Sequence, residues 1–409
     1  MNKTRLLKVL SVNVILLGII SLLTDASTEM LVPVFPLFLY TVLGAPVWAI
    51  GLFDGAAEST ASILKAVVGR WSDKIKRRKP FIFAGYGFST LSKAFFYVST
   101  MWEQVVAFRV IERMGKGIRV APRDAMIADS TDKEHLGKVY GFHRAMDTSG
   151  AVVGVLLALL VVGALALGYR DVFLAALVPA ACALVFILFL REKGDNAPQA
   201  KASRAQMGRF SDLPLDLRLF IGTMGLLSVG AVTTSFLLLR ASGVFASSLG
   251  MSAAASASWV IGLYLLFNII YMGVSIPTGS LSDKIGRYPL IISGYALLAV
   301  TFALAIIVSD TLALVMVFVF FGLYFGFTDG VQKALVAEQS PPGMKGTALG
   351  AYNMAVGLGA LPLALLGGML WDAFGPWATF SFLAALCLAG IGCLAALAAR
   401  RRRAPGALS

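Results

Sequence analysis

Long apolar stretches broken by short polar segments dominate the chain. Read along its length, the pattern predicts twelve helices, at 10–40, 47–69, 80–99, 103–128, 138–166, 170–190, 216–243, 256–279, 289–308, 312–337, 346–371 and 375–399. Each is long enough to cross a hydrocarbon core of about 30 Å, which takes about 20 apolar residues. The runs are too long for barrel strands, and lipid-facing backbone must be bonded internally, so an all-α membrane protein follows. The first run is too long for a cleavable leader, and Pro33 and Pro36 predict a kink in it.

Composition sharpens this picture. Of 409 residues, 58% are hydrophobic and 14% charged, with mean hydropathy +0.81. Soluble domains carry about 25% charged residues. A net charge of +13 would fit a nucleic-acid partner if it were gathered on one face. Instead the basic residues sit in alternate loops: Lys3 to Lys8, Lys74 to Lys79, 191–218, Lys284 with Arg287, and Arg400 to Arg403. Arg170 is the main exception. The excess of Lys and Arg in cytoplasmic loops places both termini inside. Three cysteines and two histidines, scattered, give no disulfide framework and no metal cluster. No cofactor is expected. Gly115-Lys116-Gly117 lacks the upstream glycine and following hydroxyl of a phosphate loop, so no ATP chemistry and no enzyme activity are read here.

The two halves repeat each other. Gly69-Arg-Trp-Ser-Asp73 through Pro80 is matched by Gly279-Ser-Leu-Ser-Asp283 through Pro289, and Asp129, Gly137 and Gly141 are matched 209 positions later by Glu338, Gly346 and Gly350. The chain therefore divides into a six-helix bundle at 1–190, a polar linker at 191–214 and a second bundle at 215–409. Parallel six-helix repeats are a transporter architecture.

The second phrase resembles the loop motif of the major facilitator superfamily, G-x-L-a-D-r-x-G-r-k, with Gly279, Leu281, Asp283, Gly286 and Arg287 in place. The first copy keeps Gly69, Asp73, Arg77 and Arg78 but has Trp71 and Lys76 where the motif has leucine and glycine. Residues 115–119 and 122–130 are similar to a bacterial branch of permeases without an assigned substrate. The resemblance implies a twelve-helix fold and a cytoplasmic latch at these residues, joined by Arg119 and Arg123. It also implies a cavity lined by helices 1, 4, 7 and 10. Without the resemblance, the loop charges have a simpler reading, as topology signals.

Intramembrane charges are costly and therefore informative. Asp25 and Glu29, and again Asp54 and Glu58, are four apart and share a helix face. Arg109, Glu112 and Arg113 fall at a matching depth. Two readings stand: a carboxylate that titrates as protons cross, or a permanent salt-bridge network. The arginines either meet an anionic substrate or pair with these acids. His143 and Asp147 form a further pair, either a pH sensor or a structural pin. The second half offers neutral groups, Tyr264, Asn268, Tyr324, Thr328, Gln332 and Asn353, as a substrate wall. The expectation is a monomeric secondary transporter of the bacterial inner membrane, exporting a small organic compound by proton coupling. An uptake permease for a metabolite or metal chelate, and a transporter-like sensor or lipid-handling protein, are the alternatives.

Overall fold

The computed structural model describes residues 11–75, 78–131, 135–192 and 209–403. They form twelve helical spans: α1 Val12–Glu29, α2 Val47–Ile75, α3 Lys79–Val98, α4 Trp102–Asp129, α5 Leu136–Leu159, α6 Tyr169–Leu188, α7 Leu215–Leu226 continued by Val229–Ser247, α8 Ala253–Ile285, α9 Arg287–Ile307, α10 Thr311–Gln339, α11 Lys345–Phe374 and α12 Pro376–Arg403. Eight of the helices are long and apolar enough to cross a membrane by length and composition alone. Their outward faces carry apolar side chains such as Val178, Leu188, Leu312 and Leu388. The expected kink in the first span is present. The chain turns at 30–34 and resumes as Phe35–Leu37 and a π-turn at Phe38–Val42.

Local chemistry sets the ends. Ser11, Ser252 and Asp310 accept from backbone N–H groups of the first turns of α1, α8 and α10. Gly286, at φ +90°, is the single residue between α8 and α9 and takes a backbone shape that side chains disfavour. Two arginines finish equivalent helices of the two halves. Arg170 donates to Tyr97 O and to Ser99 O (2.6 Å) at the end of α3. Arg240 donates to Ala305 O (3.0 Å), Ile306 O (3.3 Å) and Val308 O (3.0 Å) at the end of α9. Cations complete the open carbonyls of a helix C-terminus. This accounts for Arg170, the residue that departs from the loop-charge pattern.

Contacts divide the chain into two units, 1–45 with 60–199, and 46–59 with 200–409. In the first, α1 packs on α5 and α6, and α3 on α4 and α6. In the second, α9 packs on α10 and α12, α8 on α10, and α7 on α11. The α1–α5 seam is built from small residues. A Cβ on Gly150 would stand 3.0 Å from the Leu22 carbonyl carbon, and one on Gly154 2.9 Å from that of Ala26. Close backbone approach through small residues is how helices associate where lipid removes the hydrophobic drive.

Within the second unit, the start of α2 is held by α11. The Asp372 carboxylate accepts from the N–H groups of Val47 and Trp48, both at 2.9 Å. Ser59 Oγ donates to Gly357 O at 2.7 Å. A Cβ on Gly55 would lie 2.6 Å from Leu361 Cα. A carboxylate on two open N–H groups is an N-cap supplied by another helix. Asp372→Ala is expected to lower stability by about 1 kcal/mol, read as a drop in melting temperature of the purified protein, while Asp372→Asn retains most of the cap.

Candidate functional site

The loop motif comes first. Arg287 pairs with Glu338 at 2.7 Å and with Asp283 at 3.8 Å, and also donates to Ala334 O. Arg78 donates to Asp129 at 2.9 Å. Arg78 and Asp129 lie 209 positions before Arg287 and Glu338, so the repeat seen in sequence is a repeated ion pair linking α3 to α4 and α9 to α10. Arg77 falls outside the described residues, and for Gly69 and Asp73 only the helical backbone is described. Gly279 faces open space, so its expected role in close packing is not seen here. Arg119 and Arg123 turn into the bundle. Arg119 donates to Ser89 Oγ at 2.6 Å and lies 4.4 Å from the centre of the Tyr86 ring. Arg123 bonds Asp124 at 3.0 Å and Ser21 Oγ at 3.1 Å.

A buried charge cluster occupies the middle of the first unit. Glu112, 1% exposed, accepts from Arg109 at 3.0 Å and meets Arg113 at 3.4 Å. These three residues sit within one turn of α4, so helical spacing brings them together. Arg109 also lies 4.9 Å from the centre of the Phe35 ring. The expected network therefore has Glu112 at its centre. Asp25 and Glu29 are partly buried on α1, and Asp54 and Glu58 are partly buried in the stretch of α2 that contacts assign to the second unit.

Lys93 escaped the reading of the sequence. It is fully buried on α3, and its ammonium donates to Ser27 Oγ at 2.5 Å and Thr28 Oγ1 at 3.3 Å. Ser27 in turn donates to Ala176 O, tying α3, α1 and α6 together. A lone lysine inside the otherwise apolar run 80–99 was the available signal.

A second group surrounds Asp25. Its carboxylate lies in the electrostatic field of Asp147 on α5, Lys116 and Arg123 on α4, and Glu29 on α1. His143 Nδ1 stands 3.5 Å from Asp147 Oδ2. The α1–α5 glycine seam is what carries Asp147 alongside α1.

In the second unit, neutral polar side chains gather on α8 to α11. Tyr352 donates to Gln332 Oε1 at 2.6 Å, and Gln332 Nε2 donates to Tyr295 Oη at 3.1 Å. The Tyr324 and Tyr295 rings lie 5.4 Å apart. Tyr264, Phe267 and Tyr271 stack in turn along α8, and Phe267 stacks on Phe321 of α10. Asn268 and Thr328 donate to carbonyls of their own helices, Tyr264 O and Tyr324 O. Asn353 is partly buried on α11. Asp329 pairs with Lys333 at 2.6 Å and accepts from Tyr271 at 2.9 Å. Tyr295 and Tyr352 complete the tyrosine group and were not singled out in the sequence, because tyrosine in an apolar run carries no charge to mark it.

Comparisons with known proteins agree with this architecture. The Major Facilitator Superfamily model matches residues 17–272 and 224–409. An uncharacterized MFS-type transporter of Methanocaldococcus jannaschii is 37% identical over 374 residues, 91% of this chain and 92% of that protein. A cis,cis-muconate transport protein of Acinetobacter baylyi is 25% identical over 302 residues, 71% of this chain and 67% of that one. The crystal structure of the nucleoside transporter NupG superposes with a TM-score of 0.78 at 14% identity, covering 95% of this chain and 99% of its own. That last likeness concerns the fold. With the paired loop motif and the family match over both halves, this chain belongs to the major facilitator superfamily and is an integral membrane transporter.

Proposed function

We propose that the protein is a proton-coupled secondary transporter that exports a small organic compound by alternating access. The observation that carries this reading is the contrast between two groups of side chains, one on α1, α4 and α5 and one on α8 to α11. Titratable groups cluster around Asp25 in the first, whereas the second presents tyrosine, glutamine and asparagine. Intramembrane ionisable groups mark ion pathways and substrate sites. Of the two charge clusters, we assign Arg109, Glu112 and Arg113 to permanent pairing and Asp25 to the proton. Substrate is assigned to Tyr264, Asn268, Tyr324, Thr328, Gln332 and Asn353, whose polar groups among aromatic rings suit a molecule with an apolar body and a polar head. The muconate-transporting relative puts conjugated organic acids at the head of a substrate panel. The protein works as a monomer in a bacterial inner membrane with cytoplasmic termini, the orientation that the basic loops favour. Loop pairs Arg78–Asp129 and Arg287–Glu338 serve as its cytoplasmic latch.

The test is Asp25→Asn in proteoliposomes. Substrate counterflow is expected to persist and transport driven by a pH gradient to disappear. Full pH-driven transport in the variant rejects the assignment of Asp25.

A further inference from the structure

The internal repeat permits a comparison that neither unit offers alone. Tyr295, Gln332 and Tyr352 lie 209 positions after Tyr86, Arg123 and His143. In the second unit these positions form a closed relay, Tyr352 to Gln332 to Tyr295, through bonds of 2.6 and 3.1 Å. Tyr295 Oη reaches on toward Leu227 O of α7 at 3.4 Å. In the first unit the same three places are open. Arg123 is drawn aside by Asp124 and Ser21. Tyr86 Oη and His143 Nε2 are buried and have no hydrogen-bond partner among the described residues, and neither has Asp147 Oδ1. Tyr86 is 2% exposed and His143 5% exposed, so bulk solvent does not satisfy them. Leaving such groups unpaired inside a protein is costly. Two unpaired groups at the repeat positions where the other unit closes a relay are a built feature of this bundle.

We propose that Tyr86, Arg123, His143 and Asp147 form a proton-exchange site, the route between the cytoplasmic side and Asp25. This rests on the proton-coupled reading above. The groups facing it are known from each neighbouring helix. His143 lies in the electrostatic field of Arg123 and Asp124 of α4 and of Asp147 and Arg144 of its own helix. Asp25 lies in the field of Asp147, Lys116, Arg123 and Glu29. A proton carried by hydronium from the aqueous side, which leaves as water, is accepted at His143 Nε2, and the Nδ1 proton passes to Asp147, 3.5 Å away. The imidazole ends as its other neutral tautomer and the carboxylate loses its negative charge, so the pair has taken up the one proton delivered. Asp147 then hands the proton to Asp25. Tyr86 Oη, buried and without a hydrogen-bond partner at the matched position, is the group available to orient the incoming donor. Arg123, bonded to Asp124 and Ser21, makes neither of the bonds that Gln332 makes in the other unit. Separations of this kind tighten in the working state.

Two experiments test the site. The chain has two histidines, so full-length protein labelled at histidine in nanodiscs gives an NMR spectrum that His135→Gln assigns. The His143 signal is expected to move as the sample is swept from about pH 5 to 8, and to move differently in Asp147→Asn. A His143 signal unchanged across that range overturns the proposal. The second experiment rebuilds the closed relay with the pair Arg123→Gln and His143→Tyr. Counterflow is expected to persist while substrate-driven proton movement is lost; wild-type proton movement in the pair overturns the proposal. Should the pair not fold, His143→Asn is measured against the same criterion. A wild type with counterflow but no proton movement overturns the coupling reading instead, and the site then stands or falls on the His143 titration.

Discussion

Glu112→Ala is expected to lose about 3–5 kcal/mol of stability, because it removes the buried carboxylate that Arg109 and Arg113 share. Arg109 is 4% exposed and Glu112 1%, so water does not replace the missing partner. The loss is read as a fall in melting temperature and in the monodisperse fraction after detergent extraction. Glu112→Gln keeps the shape but not the charge and falls between. Removing Arg109 together with Glu112 recovers part of the loss, since a buried pair is weak net stabilisation even though breaking it is costly. Wild-type stability in Glu112→Ala would show that other groups neutralise these arginines. The same substitution separates the two readings of the cluster. If the pairing is permanent, variants that still fold keep the pH dependence of transport.

Gly154→Val is expected to have a comparable effect through packing. A Cβ at that position stands 2.9 Å from Ala26 Cα and still closer to the Ala26 carbonyl oxygen. Overpacking costs about 1–3 kcal/mol where side chains can move. Here the obstacle is the α1 backbone, so α1 and α5 must separate. That displacement moves Asp147 away from Asp25, and both folded yield and proton-driven transport are expected to fall. Gly279→Ala, in open space, is the matched control and is expected to leave both unchanged. Equal behaviour of the two variants would contradict the seam.

The number and order of spans were legible because bilayer thickness fixes span length and hydropathy shows it directly. The repeat was legible too, and it foretold more than it stated. Asp129 and Glu338 stood out as matched acids, and their partners turned out to be the matched arginines Arg78 and Arg287. Charged pairs on one helix, such as His143 with Asp147, follow from spacing. Contacts between helices do not. Arg109 and Arg113 both meet Glu112 on their own helix, since a residue three along or next in sequence is reached without any tertiary contact. Lys93 and the Tyr295–Gln332–Tyr352 relay needed coordinates. A lone lysine or tyrosine in an apolar run acquires meaning only from what packs against it. The departures of the first loop motif, Trp71 and Lys76, did not prevent its Arg78 from forming the same pair as the second.

Proton movement in proteoliposomes tests the central claim most directly. Wild-type protein is reconstituted with a trapped pH-sensitive dye and challenged with a panel that begins with conjugated organic acids. The account predicts that one class of compound drives proton movement, that the sign of the movement is that of antiport, and that Asp25→Asn abolishes it while counterflow continues. Counterflow in the wild type without any proton movement would contradict it, and would return the Asp25 cluster to a purely structural role.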